Sequence, residues 1–256
     1  MATQTQIISI EVDDEALVGT IVSPGTQLPG ILFIHGWGGS QQRDLARAKG
    51  IAGLGCICLT FDLRGHEKNS AAYLSVNRQH SLDDILAAYD HLASHPSVDP
   101  AAIAVIATSY GGYLAPLLAS LRPVKWLALR APALYWDEEW LVPKHALDRL
   151  KLAHYRQQVL HPQDNRALAA CAEFSGDVLL VESEQDDFVP HQVLMNYRLA
   201  FTNAHSLTHR VLRGADHALS SDNCQKAYTS VLTTWINEMV VGDRVGNYPH
   251  ESPHLS

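Results

Sequence analysis

The sequence predicts an α/β fold with a mainly parallel central sheet, helices on both faces and an antiparallel N-terminal edge. Short apolar runs alternate with segments of helical periodicity along most of the 256 residues, as in right-handed crossover units. At the N-terminus, Ile7–Val12 and Leu17–Val22 flank the polar Asp13–Glu15, which is typical of a hairpin. The length and the 46% hydrophobic composition suit one domain, which we expect over residues 1–241.

The charge and the cysteines narrow the class of protein further. A formal net charge of −8 without any basic cluster argues against nucleic acid or an anionic membrane as the main partner. The N-terminus lacks the basic start and apolar run of a signal peptide, and no apolar stretch approaches the roughly 18 residues of a membrane span. The four cysteines have no zinc or disulfide spacing. We therefore expect a cytoplasmic protein with reduced thiols.

The first half of the chain contains strands that are each followed by a helix. Gly30–Ile34 is a short buried strand, and the apolar periodicity of Gln41–Leu54 predicts a helix that glycines end. Cys56–Phe61 is the next strand. A second helix is expected to open at Ser81, because Asp84 lies three residues later in a variant of the capping box.

The second half repeats this alternation with one interruption. Residues 131–175 mix helical patches with prolines and aromatic residues, which indicates a small helical, cap-like insertion over the sheet. Residues 242–256 contain few apolar residues and are expected to form a flexible tail. The remaining strands are expected at Ile103–Ala107, Lys125–Arg130, Asp177–Glu182 and His209–Leu212, and the helices at Tyr113–Leu121, Val189–Phe201 and Ala218–Val241.

Ser109 lies at a sharp turn between a buried strand and a helix, in the stretch IAVIATSYGGY (Ile103–Tyr113). A turn of this kind pushes the serine hydroxyl out of the sheet and needs small residues two positions before and after it. Ala107 and Gly111 meet that need in the pattern A-x-S-x-G, one methyl group away from the usual G-x-S-x-G nucleophile elbow. Ser109 is therefore a candidate nucleophile.

A serine nucleophile needs an imidazole to take its proton and a carboxylate to orient that imidazole. In a parallel sheet these groups come from loops at the C-terminal ends of the strands. His217 lies on such a loop, between the predicted strand His209–Leu212 and the last helix. The loop after Asp177–Glu182 offers several acids, and either carboxylate of the pair Asp186 and Asp187 fits the nucleophile, acid, base order of one fold.

Five motifs in a fixed order resemble those of the α/β-hydrolases, and the resemblance spans nearly the whole chain from Gly30 to Val240. It implies an α/β-hydrolase fold and a serine hydrolase activity that requires no cofactor. The motifs are HGWGGS (His35–Ser40), DLRGHEKNS (Asp62–Ser70), ATSYGGY (Ala107–Tyr113), ESEQDDFVP (Glu182–Pro190) and GADHAL (Gly214–Leu219).

The resemblance also implies roles for individual residues. The acid of this family usually lies four residues before the Val-Pro proline, which selects Asp186 over Asp187. The backbone N–H groups of Trp37 and Tyr110 would form the oxyanion hole, a contribution often of about 3 kcal/mol per donor. The pair that begins at His35 shapes its loop in this family, so a catalytic role for His35 is not expected.

Two subfamilies compete for the substrate. The elbow Ser-Tyr-Gly-Gly-Tyr resembles prolyl-oligopeptidase-type catalytic domains, whereas the length and HGWGGS resemble dienelactone-hydrolase-like and feruloyl-esterase-like carboxylesterases. Those peptidases generally carry a propeller domain, for which this chain has no room, so a small carboxylic ester is the expected substrate. The alternatives are a peptidase or amidase acting on short peptides, and a non-catalytic binding protein of the same fold.

The segment ALYWDEEW, at the start of the insertion, is the candidate substrate pocket. Tyr135, Trp136 and Trp140 could line an aromatic acyl or alcohol pocket, or they could pack the insertion onto the core. The acidic run Asp137–Glu139 could favour cationic substrates or form a solvated face. No metal-ligand spacing on a helix and no phosphate-binding glycine pattern occurs, so neither a metal nor a cofactor is expected.

Overall fold

The computed structural model describes residues 4–13, 15–23 and 28–246. Short 3-10 turns occur at residues 67–72, 144–146 and 162–164. The strands are β1 (Gln4–Val12), β2 (Glu15–Ser23), β3 (Leu28–Ile34), β4 (Ile57–Phe61), β5 (Val98–Thr108), β6 (Trp126–Arg130), β7 (Asp177–Gln185) and β8 (Ser206–Asp216). The helices are α1 (Gln42–Ala52), α2 (Arg78–Ala93), α3 (Tyr110–Leu121), α4 (Arg149–Tyr155), α5 (Arg166–Glu173), α6 (His191–Ala200) and α7 (Asp222–Gly246).

The eight strands form one sheet in the order β1-β2-β4-β3-β5-β6-β7-β8. All neighbours from β4 to β8 pair in parallel, while β1 with β2 and β2 with β4 are antiparallel. This confirms the predicted mainly parallel sheet with an antiparallel N-terminal edge. Ala107 of β5 pairs with Ile34 of β3 and with Leu129 of β6, so these three strands end side by side at one edge of the sheet.

Helices cover both faces of the sheet, and each face has its own apolar core. Alternate residues of β5 point to opposite faces: Ile103 and Val105 join the core beneath α2, α3, α5 and α6, whereas Ala104 and Ile106 join the core beneath α1 and α7. Because both faces are covered, the central strands are mostly apolar, as expected for parallel strands. No helix in the described ranges is long and apolar enough to cross a membrane.

Several predicted helix boundaries are wrong, among them the start of α3, at Tyr110 rather than Tyr113, and the start of α7, at Asp222 rather than Ala218. Helix α2 begins at Arg78, three residues before Ser81, because the Asn77 side chain accepts a hydrogen bond from the His80 N–H at 2.9 Å and caps the helix there. Ser81 is buried inside the helix, where its hydroxyl donates to the Asn77 carbonyl. Helix α7 continues to Gly246 rather than ending at Val241. The rest of the expected tail, 247–256, lies outside the described residues.

The insertion between β6 and β7 consists of two 3-10 turns, α4 and α5. Buried polar side chains hold its first segment in place. The Arg78 guanidinium, fully buried, donates to the carbonyls of Trp136 and Glu138. Asn165 donates to the Tyr135 carbonyl at 2.7 Å and also caps α5. These hydrogen bonds satisfy backbone groups that an irregular buried segment would otherwise leave unpaired.

Candidate active site

Ser109 occupies a strained backbone position between β5 and α3. Its φ of 52° and ψ of −112° lie outside the regions that a residue with a Cβ normally adopts. Hydrogen bonds hold this conformation: the Ser109 N–H donates to the Arg130 carbonyl at 3.0 Å, and the Ser109 carbonyl accepts from Tyr113 and Ala133. The turn therefore presents a half-buried serine hydroxyl at the edge of the sheet.

Gly111 allows α3 to approach the end of β3 closely. A Cβ at this position would lie 2.7 Å from the carbonyl oxygens of Ile34 and His35, and these are backbone atoms that cannot rotate away. Gly36 faces the same turn from the other side, where an added Cβ would lie 3.0 Å from the Ser109 Cβ. The small residues around the elbow are thus required by contacts between main chains.

Replacing Gly111 by alanine is expected to lower the free energy of unfolding by about 3 kcal/mol, because α3 must move away from β3. Gly50 is the matched control, since it lies inside α1 and a Cβ there meets nothing within 4 Å. Gly50→Ala should leave stability unchanged or raise it by up to about 1 kcal/mol. Urea unfolding of both variants measures the difference, and equal stability would contradict the close packing.

Ser109, His217 and Asp186 form a continuous chain of hydrogen bonds. The Ser109 Oγ lies 2.9 Å from His217 Nε2, and His217 Nδ1 lies 2.6 Å from Asp186 Oδ2. A carboxylate can only accept, so the imidazole carries its proton on Nδ1 and leaves Nε2 free to accept from the serine. The three residues come from the ends of β5, β8 and β7, as expected for groups gathered at one sheet edge.

Asp186, not Asp187, is the carboxylate at the histidine. Its Oδ1 accepts hydrogen bonds from the backbone N–H groups of Phe188 at 2.9 Å and Val189 at 2.8 Å, and its side chain is 3% exposed. These bonds orient Oδ2 toward His217. Asp187, in contrast, is exposed. The next residue, Phe188, packs its ring at a tilt against the His217 ring, with 5.3 Å between the ring centroids.

The two proposed oxyanion donors lie on either side of Ser109. Tyr110 is the first residue of α3, so its N–H has no partner within the helix. Trp37 follows Gly36, the residue in contact with the Ser109 side chain, and its ring packs at 5.6 Å against that of Tyr110. Both residues are therefore adjacent to the nucleophile, and the N–H at a helix start also favours negative charge.

Two histidines support the loop that carries Trp37. His35 Nε2 accepts from the Leu63 N–H at 3.1 Å while its Nδ1 lies 2.8 Å from the Gly36 carbonyl. Burial lowers the pKa of His35 to about 4, so the ring stays neutral and keeps both hydrogen bonds at neutral pH. His66 Nε2 accepts from the Gly38 N–H at 2.9 Å. His35 thus shapes its loop and does not contact Ser109.

A cleft of about 430 Å³ opens over Ser109. Its walls are the loop at residues 35–40, the start of α1 and the loop that begins at His217. Arg130 forms part of the floor, where its Nη1 donates to the His217 carbonyl at 3.0 Å and to Ser183 Oγ at 3.3 Å. Burial lowers the pKa of this guanidinium from its usual value.

Sequence reasoning missed Arg130, although a signal was present. The strand that contains it reads Trp-Leu-Ala-Leu-Arg, an apolar run that ends in a charged residue at the sheet edge where the site lies. A charged side chain at the end of a fully buried strand is costly unless it is paired or hydrogen-bonded. Here it hydrogen-bonds the loop that carries the histidine.

The three candidate pocket residues pack onto the core, which is the second of the two alternatives that the sequence left open. Tyr135 and Trp136 are each 3% exposed and pack into the core, and Trp140 packs against it while donating to Gln79 Oε1 at 2.7 Å. None of the three lines the cleft. Burial of large rings under a short insertion stabilises the fold more than exposing them at a pocket would.

Two carboxylates of the acidic run beside these rings form ion pairs within the insertion. Asp137 pairs with Arg166 at 3.1 Å, and Glu139 pairs with Lys151 at 3.2 Å. Across the described ranges, no group of three or more His, Cys, Asp or Glu residues could hold a metal ion.

Several solved structures share this fold. A dienelactone hydrolase from Anabaena variabilis is 18% identical with a TM-score of 0.66. The match covers 91% of this chain and 96% of the dienelactone hydrolase. Est1E from Butyrivibrio proteoclasticus, solved with ferulic acid bound, is 18% identical with a TM-score of 0.68. The match covers 93% of this chain and 99% of Est1E. An acylaminoacyl peptidase from Pyrococcus horikoshii is 14% identical with a TM-score of 0.71, over 94% of this chain but 42% of the peptidase.

Sequence comparison finds a relative with a higher identity than these three structures have. An uncharacterized protein of Mycobacterium tuberculosis, Rv2307c, is 29% identical over 215 residues, which is 82% of this chain and 71% of that protein. A family model described as the prolyl oligopeptidase family matches residues 43–242, from the start of α1 to near the end of α7. Because that match covers most of the sequence, the chain belongs to the prolyl oligopeptidase family and is a hydrolase of the α/β-hydrolase type.

Proposed function

We propose that the protein is a serine carboxylesterase that works through an acyl-enzyme intermediate. The observation that carries this proposal is the hydrogen-bonded chain from Asp186 through His217 to Ser109, with 2.6 and 2.9 Å between its atoms. Distances in this range allow proton transfer along the chain without rearrangement. No metal or cofactor takes part in the proposed reaction.

In the first half-reaction, Ser109 Oγ attacks the ester carbonyl carbon while His217 Nε2 takes the serine proton. The Asp186 carboxylate stabilises the imidazolium that forms and keeps its Nδ1–H directed at Oδ2. As the tetrahedral intermediate collapses, the bond to the alcohol oxygen breaks and His217 donates its proton to that oxygen. The alcohol leaves and the acyl group stays on Ser109.

In the second half-reaction, water takes the place of the alcohol. His217 removes a proton from the water, the hydroxide attacks the acyl carbon, and the proton returns to Ser109 as the acid leaves. The N–H groups of Trp37 and Tyr110 bind the oxyanion in both halves. Both are main-chain groups, one in the strained elbow and one in the loop that the two histidines support, so binding the oxyanion would require no side-chain rotation.

An ester is favoured as substrate by the cleft and by the named relatives. The cleft of about 430 Å³ suits a small molecule, and two similar folds are a dienelactone hydrolase and a protein with bound ferulic acid. The second candidate is a peptidase or amidase, which the family description and the acylaminoacyl peptidase favour.

The proposal also includes a location in the cytoplasm. Its support is that all four cysteines are free thiols, as is usual in a reducing compartment.

The experiment compares p-nitrophenyl acetate with alanine p-nitroanilide on the purified protein. An esterase is expected to hydrolyse the ester with saturation kinetics and to leave the anilide intact, because an amide's nitrogen is a much poorer leaving group. A higher kcat/KM on the anilide would replace the proposal by the peptidase candidate. Hydrolysis of neither substrate, together with no labelling by a fluorophosphonate, would favour a non-catalytic binding protein.

A further inference from the structure

The ammonium group of Lys144 lies among three aromatic rings next to the candidate nucleophile. Its Nζ is 4.9 Å from the ring centre of Trp37, 5.0 Å from that of Tyr135 and 5.6 Å from that of Tyr110. Lys144 is half-buried in the 3-10 turn at residues 144–146, within the insertion. We call the group of Trp37, Tyr110 and Tyr135 the aromatic cage.

The cage itself holds the Lys144 side chain. Two other lysines, Lys125 and Lys151, lie over aromatic rings and also form an ion pair with a carboxylate. Among the described residues, Lys144 contacts rings but forms no ion pair. Attraction between an ammonium and ring faces is strongest where water is partly excluded, as it is here. The backbone is anchored separately, since the Lys144 N–H donates to the Val76 carbonyl at 2.8 Å.

The Lys144 ammonium, 5.0 Å from the ring centre of Tyr135, also affects the phenol of that residue. Burial acts to raise the pKa of Tyr135, but the Lys144 and Arg156 cations outweigh it and lower the pKa below its usual value. The ammonium of one lysine therefore lies among all three rings of the cage.

The cage adjoins the cleft at Trp37, which belongs to the cage and also lines the cleft beside Ser109. His217 has to deliver its proton to the leaving alcohol, so the alcohol belongs near His217, where the walls of the cleft include Ala218 and Leu219. An acyl group that extends the other way from the reacting carbon, past Trp37 and Tyr110, would meet the Lys144 side chain, which lies over both rings.

We propose that Lys144 closes the acyl side of the site and restricts the enzyme to short acyl groups. This inference rests on the proposed esterase function and adds the acyl size that the site accepts. The alcohol side stays open, so the size limit applies to the acid part of the ester. Long acyl groups are excluded because the Lys144 side chain, held by its aromatic contacts, occupies the space that they would need.

The test measures kcat/KM on p-nitrophenyl acetate, butyrate and hexanoate for the wild type and three variants. Lys144→Ala empties the space and is expected to raise the hexanoate-to-acetate ratio by about tenfold or more, since each methylene that gains an apolar contact is worth a factor of that order. Lys144→Met keeps an unbranched side chain of similar length in the cage and should retain the wild-type ratio. Lys151→Ala, an insertion lysine over Trp136, is the matched control and should also retain it.

An unchanged ratio in Lys144→Ala would overturn the inference, as would an equal rise in Lys151→Ala. A second measurement separates this outcome from failure of the esterase proposal, because it needs no turnover. Calorimetry compares the binding of hexanamide, a neutral analogue of the acyl group, to Ser109→Ala and to Ser109→Ala with Lys144→Ala. We expect the Kd to fall by about tenfold in the double variant, and equal Kd values would contradict the role of Lys144 even if no ester is hydrolysed.

Discussion

Ser109→Ala is expected to lower kcat for p-nitrophenyl acetate by roughly 10⁴- to 10⁶-fold and to abolish labelling by a fluorophosphonate. The alanine keeps the Cβ that already occupies the strained backbone position, so the only loss is the oxygen 2.9 Å from His217 Nε2. The free energy of unfolding should stay within about 1 kcal/mol of the wild-type value. Rates and labelling are measured on the same preparations as the urea unfolding curves.

Ser40→Ala is the matched control for this experiment. Ser40 also lines the cleft over Ser109 but takes no part in the hydrogen-bonded chain. It should label and turn over like the wild type. If Ser109→Ala kept its activity while Ser40→Ala lost it, the nucleophile would be a different residue and the proposed mechanism would be wrong.

Asp186→Asn is expected to lower kcat by about 10⁴-fold with little change in stability. Asparagine can still accept from the N–H groups of Phe188 and Val189, so the loop keeps its shape. Its amide N–H₂ would then face His217 Nδ1 and donate to it, which moves the imidazole proton to Nε2. In that tautomer the histidine cannot accept the serine proton.

Asp187→Asn controls for the loss of one negative charge in the same loop. Asp187 is exposed and is one residue away from the carboxylate that contacts the histidine. Its kcat should remain within about twofold of the wild-type value, since exposed charges contribute little. Equal losses in the two variants would mean that the charge of the loop, rather than the orientation of His217, determines the rate.

Much of the fold could be predicted because its elements are periodic and local. The strand before Ser109 is apolar because both faces of β5 are buried, and the hairpin of β1 and β2 alternates because it lies at the sheet edge. Boundaries were less certain where two polar residues competed for a cap. Ser81 has the residue type of a cap, but Asn77 caps α2 because it forms a reciprocal capping box with His80, a residue type not usual at that position.

By itself, the sequence determined which strand-end loops lie together, because parallel strands joined by crossovers have all their C-terminal ends at one edge of the sheet. It therefore predicted that Ser109, His217 and the pair Asp186 and Asp187 lie at that edge. The tertiary structure decided which carboxylate contacts the histidine, that Arg130 lines the cleft, and that the Lys144 ammonium lies among the rings of the aromatic cage. The insertion explains the difference. Its residues lack periodicity, and their burial depends on contacts with α2 and α3, which are distant in sequence. No local pattern therefore distinguishes a ring that lines a pocket from one that packs into the core.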